Sequence, residues 1–248
     1  GWFLESRGSP RVHRRNRYVT VSTPSKSELV ALGVDAGRIA VVRNGIDPVP
    51  QGIEAPARTG ASTPGVPVRL CVLSRLVPHK QVEDALTVLA RLRRDGVDAR
   101  LDVIGGGWWS DELHRAAADL AVTDAVTFHG HVDERRKHEL LARARVHLMP
   151  SRKEGWGLAV VEAAQHGVPT IGYRSAAGLA DSIDDGRTGL LVDGVDELAS
   201  ATRKLIDNPD EAHRLGRNAQ TTASRYSWSA TCDGFMATFD AVLSDSRR

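Results

Sequence analysis

From Val68 to Val192, short apolar runs alternate with longer amphipathic ones, and this alternation restricts the fold more than any other feature of the chain. The runs VRLCVLS (68–74), RLDVIG (100–105), AVTFHG (125–130), VHLMPS (146–151), PTIGY (169–173) and TGLLV (188–192) have strand length. Their apolar residues do not alternate with polar ones, so both faces of each strand are to be covered. Between them the pattern changes to a helical period. A helix is expected around 80–94, with Val82, Ala85, Leu86, Leu89 and Leu92 on one face. Another follows Ser110, whose hydroxyl is placed to cap it. ERRKHELLARA (134–144) and GLAVVEAAQHG (157–167) continue the series. Strand alternating with helix, with strands apolar on both sides, predicts an α/β domain built on a doubly wound parallel sheet, Rossmann-like in architecture.

The flanks read differently. Residues 1–50 carry local signals but no self-sufficient core: a strand, a turn at Pro24 and a helix from about Ser25, then a second strand ending in an Asn44-Gly45 turn. Residues 51–67 are rich in Pro, Gly, Ala and Ser and read as an exposed connector. From Glu197 the chain is helical, with a stop near Pro209 and a restart at RYSWS (225–229). The last helix places Phe235, Met236, Phe239, Val242 and Leu243 on an apolar face. The expected division is therefore 1–50, 51–67, 68–226 and a terminal helix over 227–248.

Composition excludes several classes. With 41% hydrophobic and 26% charged residues the chain has the make-up of a soluble globular protein. Its apolar stretches fall short of the roughly 18 residues of a membrane span, and with no charged-then-apolar run at its opening no secretory leader is expected. The two cysteines, Cys71 and Cys232, form neither a disulfide framework nor a metal spacing, so a reducing cytoplasm is expected. A formal charge of +2 gives no argument for nucleic acid as partner. One local run, RVHRRNR (11–17), is strongly basic. It reads as a solvated face or, through Arg11, Arg14, Arg15 and Arg17, as a peripheral contact with anionic lipid or a polyanionic substrate.

In open α/β sheets ligands bind beyond the carboxyl ends of the strands. Three of the loops on that rim are chemically rich. SRLVPHKQ, after the first strand, carries Arg75 and Lys80; GGGWW, Gly105 to Trp109, follows the second; SRKEGWGL follows the fourth. Gly155, Trp156 and Gly157 lie where a helix begins, and such a terminus offers unpaired amides to an anion. Glu154 precedes that helix and Glu162 lies about one turn inside it, leaning back toward its start. Carboxylates beside a phosphate need another partner, and a sugar diol is the natural one. A diphosphate between two sugars, a nucleotide sugar, fits this layout, with Arg75 and Lys80 neutralising the diphosphate from the facing loop. Taken singly, each part reads as ordinary: two glutamates as surface charge, GGGWW as a tight turn with Trp108 and Trp109 packed or exposed, and His79, His129 and His131 as structural or solvated. Other chemistries lack their motifs. There is no P-loop, Ser110 stands where a dinucleotide fingerprint needs its third glycine, and no Asp-x-Asp pair supports a bound divalent metal.

The segments SRLVPHKQ, VIGGG, VTFHGHV, PSRKEGWGLAVVEAAQHGVPTIGY and DGRTGLLV, with NGID at 44–47, occur in the order found in retaining glycosyltransferases of the GT-B fold, family 4, which the chain resembles over roughly residues 18–240. The resemblance implies hexose transfer from a UDP- or GDP-linked donor with retention, by front-face attack and with neither metal nor cofactor. It implies that Arg75 and Lys80 contact the diphosphate and that Glu154 positions the transferred sugar. Gly155, Trp156, Gly157 and Leu158 would supply amides, Glu162 would hold the ribose, and Gly130 and Val132 would line the base, with Gly106 nearby. Two departures stand out: GGGWW replaces a more usual G-D-G-P turn, and Asp181 stands where glutamate is common. The resemblance also implies that residues 1–50 are the last elements of an acceptor-binding lobe and that 227–248 pack back toward it. The chain would then be a donor-binding lobe, expected to transfer sugar poorly by itself. A sugar-nucleotide epimerase, a phosphorylase or a non-catalytic nucleotide-binding module are the alternatives, and no acid/base set or cofactor lysine favours the first two.

Overall fold

The computed structural model describes residues 13, 16–53 and 65–245 and divides into two compact units. Arg11, Arg14, Arg15 and most of the expected connector lie outside the described residues, whereas Arg17 lies within them. No helix among the described residues is long and apolar enough to cross a membrane.

The first unit joins the described residues up to Asp47 with those from Arg225 onward. Strands β1 (Tyr18–Thr20) and β2 (Ile39–Val41) pair in parallel, with helix α1 (Thr23–Ala31) between them. Helix α1 begins earlier than the sequence suggests. Ser22 accepts from the Ser25 N–H as its cap, and Pro24 occupies the first turn, where its missing N–H costs nothing. The Asn44-Gly45 turn does not form. The chain stays extended past β2, and the Ile46 N–H donates to the Tyr226 carbonyl at 3.2 Å, so a partner distant in sequence replaces the local turn.

The second unit runs from Pro48 to Ser224 and contains all six expected strands. They are β3 (Val68–Leu73), β4 (Ala99–Ile104), β5 (Val126–Gly130), β6 (Val146–Met149), β7 (Thr170–Tyr173) and β8 (Gly189–Val192). All pair in parallel in the order β5-β4-β3-β6-β7-β8. The connecting helices are α2 (Val82–Arg94), α3 (Ser110–Asp119), α4 (Glu134–Arg143), α5 (Leu158–Gln165) and the short α6 (Leu179–Ser182), followed by α7 (Val195–Asp207) and α8 (Pro209–Ala223). A last helix, α9 (Trp228–Asp245), belongs to the first unit.

Both faces of the sheet are dry, as the strand composition requires. Leu70, Val72, Leu101 and Val103 pack with Leu86, Leu89 and Leu113 of α2 and α3. Their neighbours Cys71 and Ile104 turn to the other face and meet Leu140, Leu141 and Ala163 of α4 and α5. The polar exceptions on the strands are tied. Asp102, 3% exposed, accepts from Arg69 at 3.1 Å and lies 2.7 Å from His129 Nε2, which makes His129 part of the sheet's packing. His147 on β6 is fully buried; its Nδ1 meets Thr170 Oγ1 at 3.0 Å and its Nε2 has no partner among the described residues.

Two start signals differ from expectation. Ser110 is the first residue of α3 rather than its cap, and no side chain caps that end. The Trp109 N–H is instead taken by the Leu76 carbonyl at 3.1 Å. Helix α2 begins at Val82, after a 3₁₀ turn over Pro78–Lys80 and with Gln81 at φ 47°, ψ 44°.

Candidate functional site

The strand order reverses between β3 and β6, the adjacent strands whose following helices pack on opposite faces of the sheet. The loops leaving their carboxyl ends therefore diverge and leave a crevice, the position where open α/β sheets take ligands. These two loops are SRLVPHKQ and SRKEGWGL.

Lys80 ends the 3₁₀ turn of the first loop, and its ammonium donates to Glu154 Oε1 of the second in an ion pair. Both side chains are largely buried, 13% and 9% exposed, so the pair spans the crevice with little screening by water. Further bonds fix the two loops to each other. The Arg152 N–H donates to the His79 carbonyl at 2.9 Å, and Arg152 Nε donates to Gln81 Oε1 at 2.6 Å. Gln81 holds a left-handed backbone that a non-glycine residue adopts only at some cost. Its side-chain bond to Arg152 offsets part of that cost. Arg75 stays exposed on the same rim, and its guanidinium meets no carboxylate among the described residues.

Beyond Glu154 the chain enters α5 through Gly155, Trp156 and Gly157. Gly157 caps the helix at φ 87° and no side chain makes a capping hydrogen bond at that end. Trp156 is 3% exposed; its indole is packed inside, and only its backbone belongs to the rim. Leu158 is exposed at the first turn. The loop is backed by Gly178, where a Cβ would lie 2.3 Å from the Glu154 carbonyl oxygen and 2.6 Å from the Gly155 carbonyl carbon.

Glu162 lies one turn into α5 and is gripped from a helix that sequence reasoning passed over. Lys137 of α4 donates to Glu162 Oε1 at 2.5 Å and to Glu134 at 2.6 Å, with only 13% of its side chain exposed. Burial lowers the affinity of that ammonium for its proton, but the hydrogen bonds and charges of the two carboxylates outweigh it and leave the pKa raised. The adjacent His138 faces the same helix, its Nδ1 lying 2.8 Å from His166 Nε2. Burial first, and the Lys137 charge second, hold His138 below the usual histidine range.

The remaining sequence candidates occupy the rim through their backbones. The Gly106 carbonyl accepts from the Leu76 N–H at 3.0 Å, and the Gly130 carbonyl accepts from the Gly105 N–H at 2.9 Å. Val132 packs its side chain against the cluster containing Ile104 and Leu140. GGGWW is a tight turn laid on the first loop, since a Cβ at Gly107 would come within 2.1 Å of the Leu76 carbonyl oxygen. Trp109 donates its indole N–H to Glu83, whereas Trp108 stands 72% exposed. His79 contributes its carbonyl, and His131 is exposed.

The structure thus brings Lys80, Glu154 and the start of α5 together, and places Glu162 on the same helix under Lys137. Lys137, Arg152 and Gly178 were missed. A lysine within ERRKHEL looks like any solvated helix charge, and only the packing of α4 on α5 distinguishes it.

The model of a family described as glycosyl transferases group 1 matches residues 62–222. D-inositol 3-phosphate glycosyltransferase 2 of Catenulispora acidiphila is 32% identical over 250 residues, covering 95% of this chain and 58% of that protein. The GDP-mannose-dependent alpha-(1-6)-phosphatidylinositol monomannoside mannosyltransferase of Mycolicibacterium smegmatis is 34% identical over 214 residues, covering 82% of the chain and 53% of that protein. The chain therefore spans little more than half the length of these relatives. Among solved structures, HepE of Anabaena in complex with UDP and glucose superposes with a TM-score of 0.80 at 19% identity, over 94% of this chain and 66% of that one.

Proposed function

The chain belongs to the glycosyl transferases of group 1, and we propose that the crevice between β3 and β6 binds a nucleoside-diphosphate hexose as the donor for hexosyl transfer. The observation that carries this reading is the buried Lys80–Glu154 pair set beside an α5 start without a side-chain cap. A cation, a carboxylate and a helix start without a side-chain cap at one place suit a ligand that is an anion and a polyol at once. Similar proteins point the same way: one is GDP-mannose-dependent, and HepE was solved with UDP and glucose.

In this reading Lys80, Arg75 and the α5 amides receive the diphosphate, the first two as point charge and planar fork. Glu154, displaced from Lys80 or sharing it, accepts from hydroxyls of the transferred hexose and positions the ring. Glu162 accepts from the ribose diol, and the backbone around Gly130 and Val132 borders the base. As the bond from the sugar's anomeric carbon to the diphosphate oxygen breaks, its electron pair leaves with the diphosphate, while the acceptor's hydroxyl oxygen bonds to that carbon and gives its proton to the departing diphosphate. The cations and the positive end of α5 stabilise that developing charge. The transfer proceeds with retention and without a divalent cation, and Glu154 is a positioning group rather than a nucleophile. Acceptor choice and the complete reaction belong to the whole enzyme.

The test is calorimetric titration of the chain with UMP, UDP, GMP, GDP and the UDP- and GDP-hexoses. One nucleoside diphosphate and its hexose conjugate are expected to bind at least about tenfold more tightly than the monophosphate, since the second phosphate adds a charge-assisted contact. Absence of binding across the panel, or equal affinity for mono- and diphosphate, overturns the assignment. Gly178→Ala gives an independent check. The added methyl has nowhere to go but into the Glu154–Gly155 backbone. It is expected to weaken the bound donor about tenfold, at a stability cost of about 1–3 kcal/mol typical of overpacking. A variant with wild-type affinity would show that the 154–155 backbone is not part of the site.

A further inference from the structure

The α4–α5 seam contains two polar ties on neighbouring residues of α4. Lys137 reaches Glu162, and His138 reaches His166, the residue that ends α5 four positions after Glu162. Lys137 is itself well placed by its own element. Asp133 caps α4 by accepting from the Arg136 N–H at 2.7 Å, which fixes the first turn from which Lys137 projects. The lysine touches one oxygen of Glu162, Oε1; Oε2 has no hydrogen-bond partner among the described residues. A carboxylate on a helix face has several rotamers open to it, and tying one oxygen leaves the other aimed by the tie.

We propose that Lys137 is the positioning residue for Glu162, holding its carboxylate oriented so that it discriminates a ribonucleotide from its 2′-deoxy counterpart. This rests on the nucleotide-sugar reading above, in which Glu162 takes the ribose diol. Lys137 acts through Glu162 and makes no contact with the ligand. Glu134, the second carboxylate on Lys137, is on the solvent side, 66% exposed, and contributes charge without orienting Glu162. The consequence is specific. Without the tie Glu162 remains present but turns among its rotamers, and the advantage given to a ribose hydroxyl is lost, while the diphosphate contacts at Lys80 and Arg75 persist.

The experiment titrates UDP, dUDP, GDP and dGDP into the full 248-residue chain and into Lys137→Met, Lys137→Arg and Glu134→Gln, with thermal melts confirming that each is folded. Wild type is expected to favour the ribonucleotide it binds about tenfold over its deoxy form. Lys137→Met is expected to lose about tenfold affinity for the ribonucleotide and less than about threefold for the deoxynucleotide, bringing the two together. Lys137→Arg is expected to restore most of the preference, and Glu134→Gln to keep it. A folded Lys137→Met that retains the ribose preference overturns the role of Lys137 while leaving the donor site standing. Equal loss for ribo- and deoxynucleotide overturns it too, since a merely structural lysine acts on both alike. Wild type that binds neither UDP nor GDP overturns the donor reading, and this inference with it. Should Lys137→Met not fold, Lys137→Arg and Glu134→Gln decide: loss of the ribose preference in Glu134→Gln together with its full retention in Lys137→Arg overturns the assignment to Glu162.

Discussion

Lys80→Ala is expected to weaken binding of the preferred nucleoside diphosphate by roughly 10- to 100-fold, the range for losing one hydrogen bond to a charged group. The same substitution leaves Glu154, 9% exposed, without the ammonium it meets across the crevice. A carboxylate stranded in that position repels the incoming phosphate and also destabilises the fold, by about 1–3 kcal/mol. The double variant Lys80→Ala/Glu154→Gln separates the two effects. Removing the stranded charge is expected to return the melting temperature to near the wild-type value, yet binding stays weak because the cation is still missing. Restored binding in the double variant would show that Lys80 serves the loop rather than the ligand. Arg75→Ala, whose guanidinium bonds to no carboxylate among the described residues, is expected to lower affinity with no change in melting temperature.

Acidification is expected to remove about 3 kcal/mol of stability between pH 7 and pH 4 through His147 alone. Complete burial depresses its pKa to about 4, against about 6.5 for an exposed histidine. The sign follows from where the protons go. A group with a depressed pKa binds protons in the unfolded chain first. His147 therefore contributes stability in full above the unfolded value of about 6.5, and loses it as pH falls toward 4. Carboxylates titrate in the same window, so the measurement is a difference. Urea unfolding of wild type and His147→Asn is compared at both pH values, the asparagine amide replacing Nδ1 opposite Thr170. The variant is expected to lose about 3 kcal/mol less than wild type. Parallel loss in both would place the acid sensitivity elsewhere, for instance in the buried His138.

Much of the second unit was legible because its determinants are local. The six strands declare themselves by apolar runs without alternation, and Leu86, Leu89 and Leu92 declare the face of α2 by spacing. The strand-end rule then places Arg75, Lys80 and Glu154 on one rim before any coordinate is known. What could not be read is settled by partners distant in sequence. Asn44-Gly45 is a strong turn dipeptide, yet its neighbour Ile46 bonds to Tyr226 and the turn is never made. Ser110 is a good cap by type, but the Leu76 carbonyl already holds the Trp109 N–H ahead of it. Lys137 has nothing to mark it among Arg135, Arg136 and His138; its meaning comes from the residue opposite on α5. Gly178 is silent for a similar reason, since its missing side chain matters only because the 154–155 backbone lies against it.

The two loops of the crevice come from strands that are neighbours in space and far apart along the chain, Lys80 and Glu154 being 74 positions distant. The seam is held by the pairing of Leu70 with Val146 and Cys71 with His147. In the proposed site each half of the sheet supplies only one of the two loops, so neither half would bind before the long loop between them has closed and its entropic cost has been met. A ligand seated there acts as a strap across the midline. It stabilises only those states in which the midline is shut and gives nothing to partly opened forms in which β6 has peeled from β3. Occupancy of the crevice is then a report on the wholeness of the sheet.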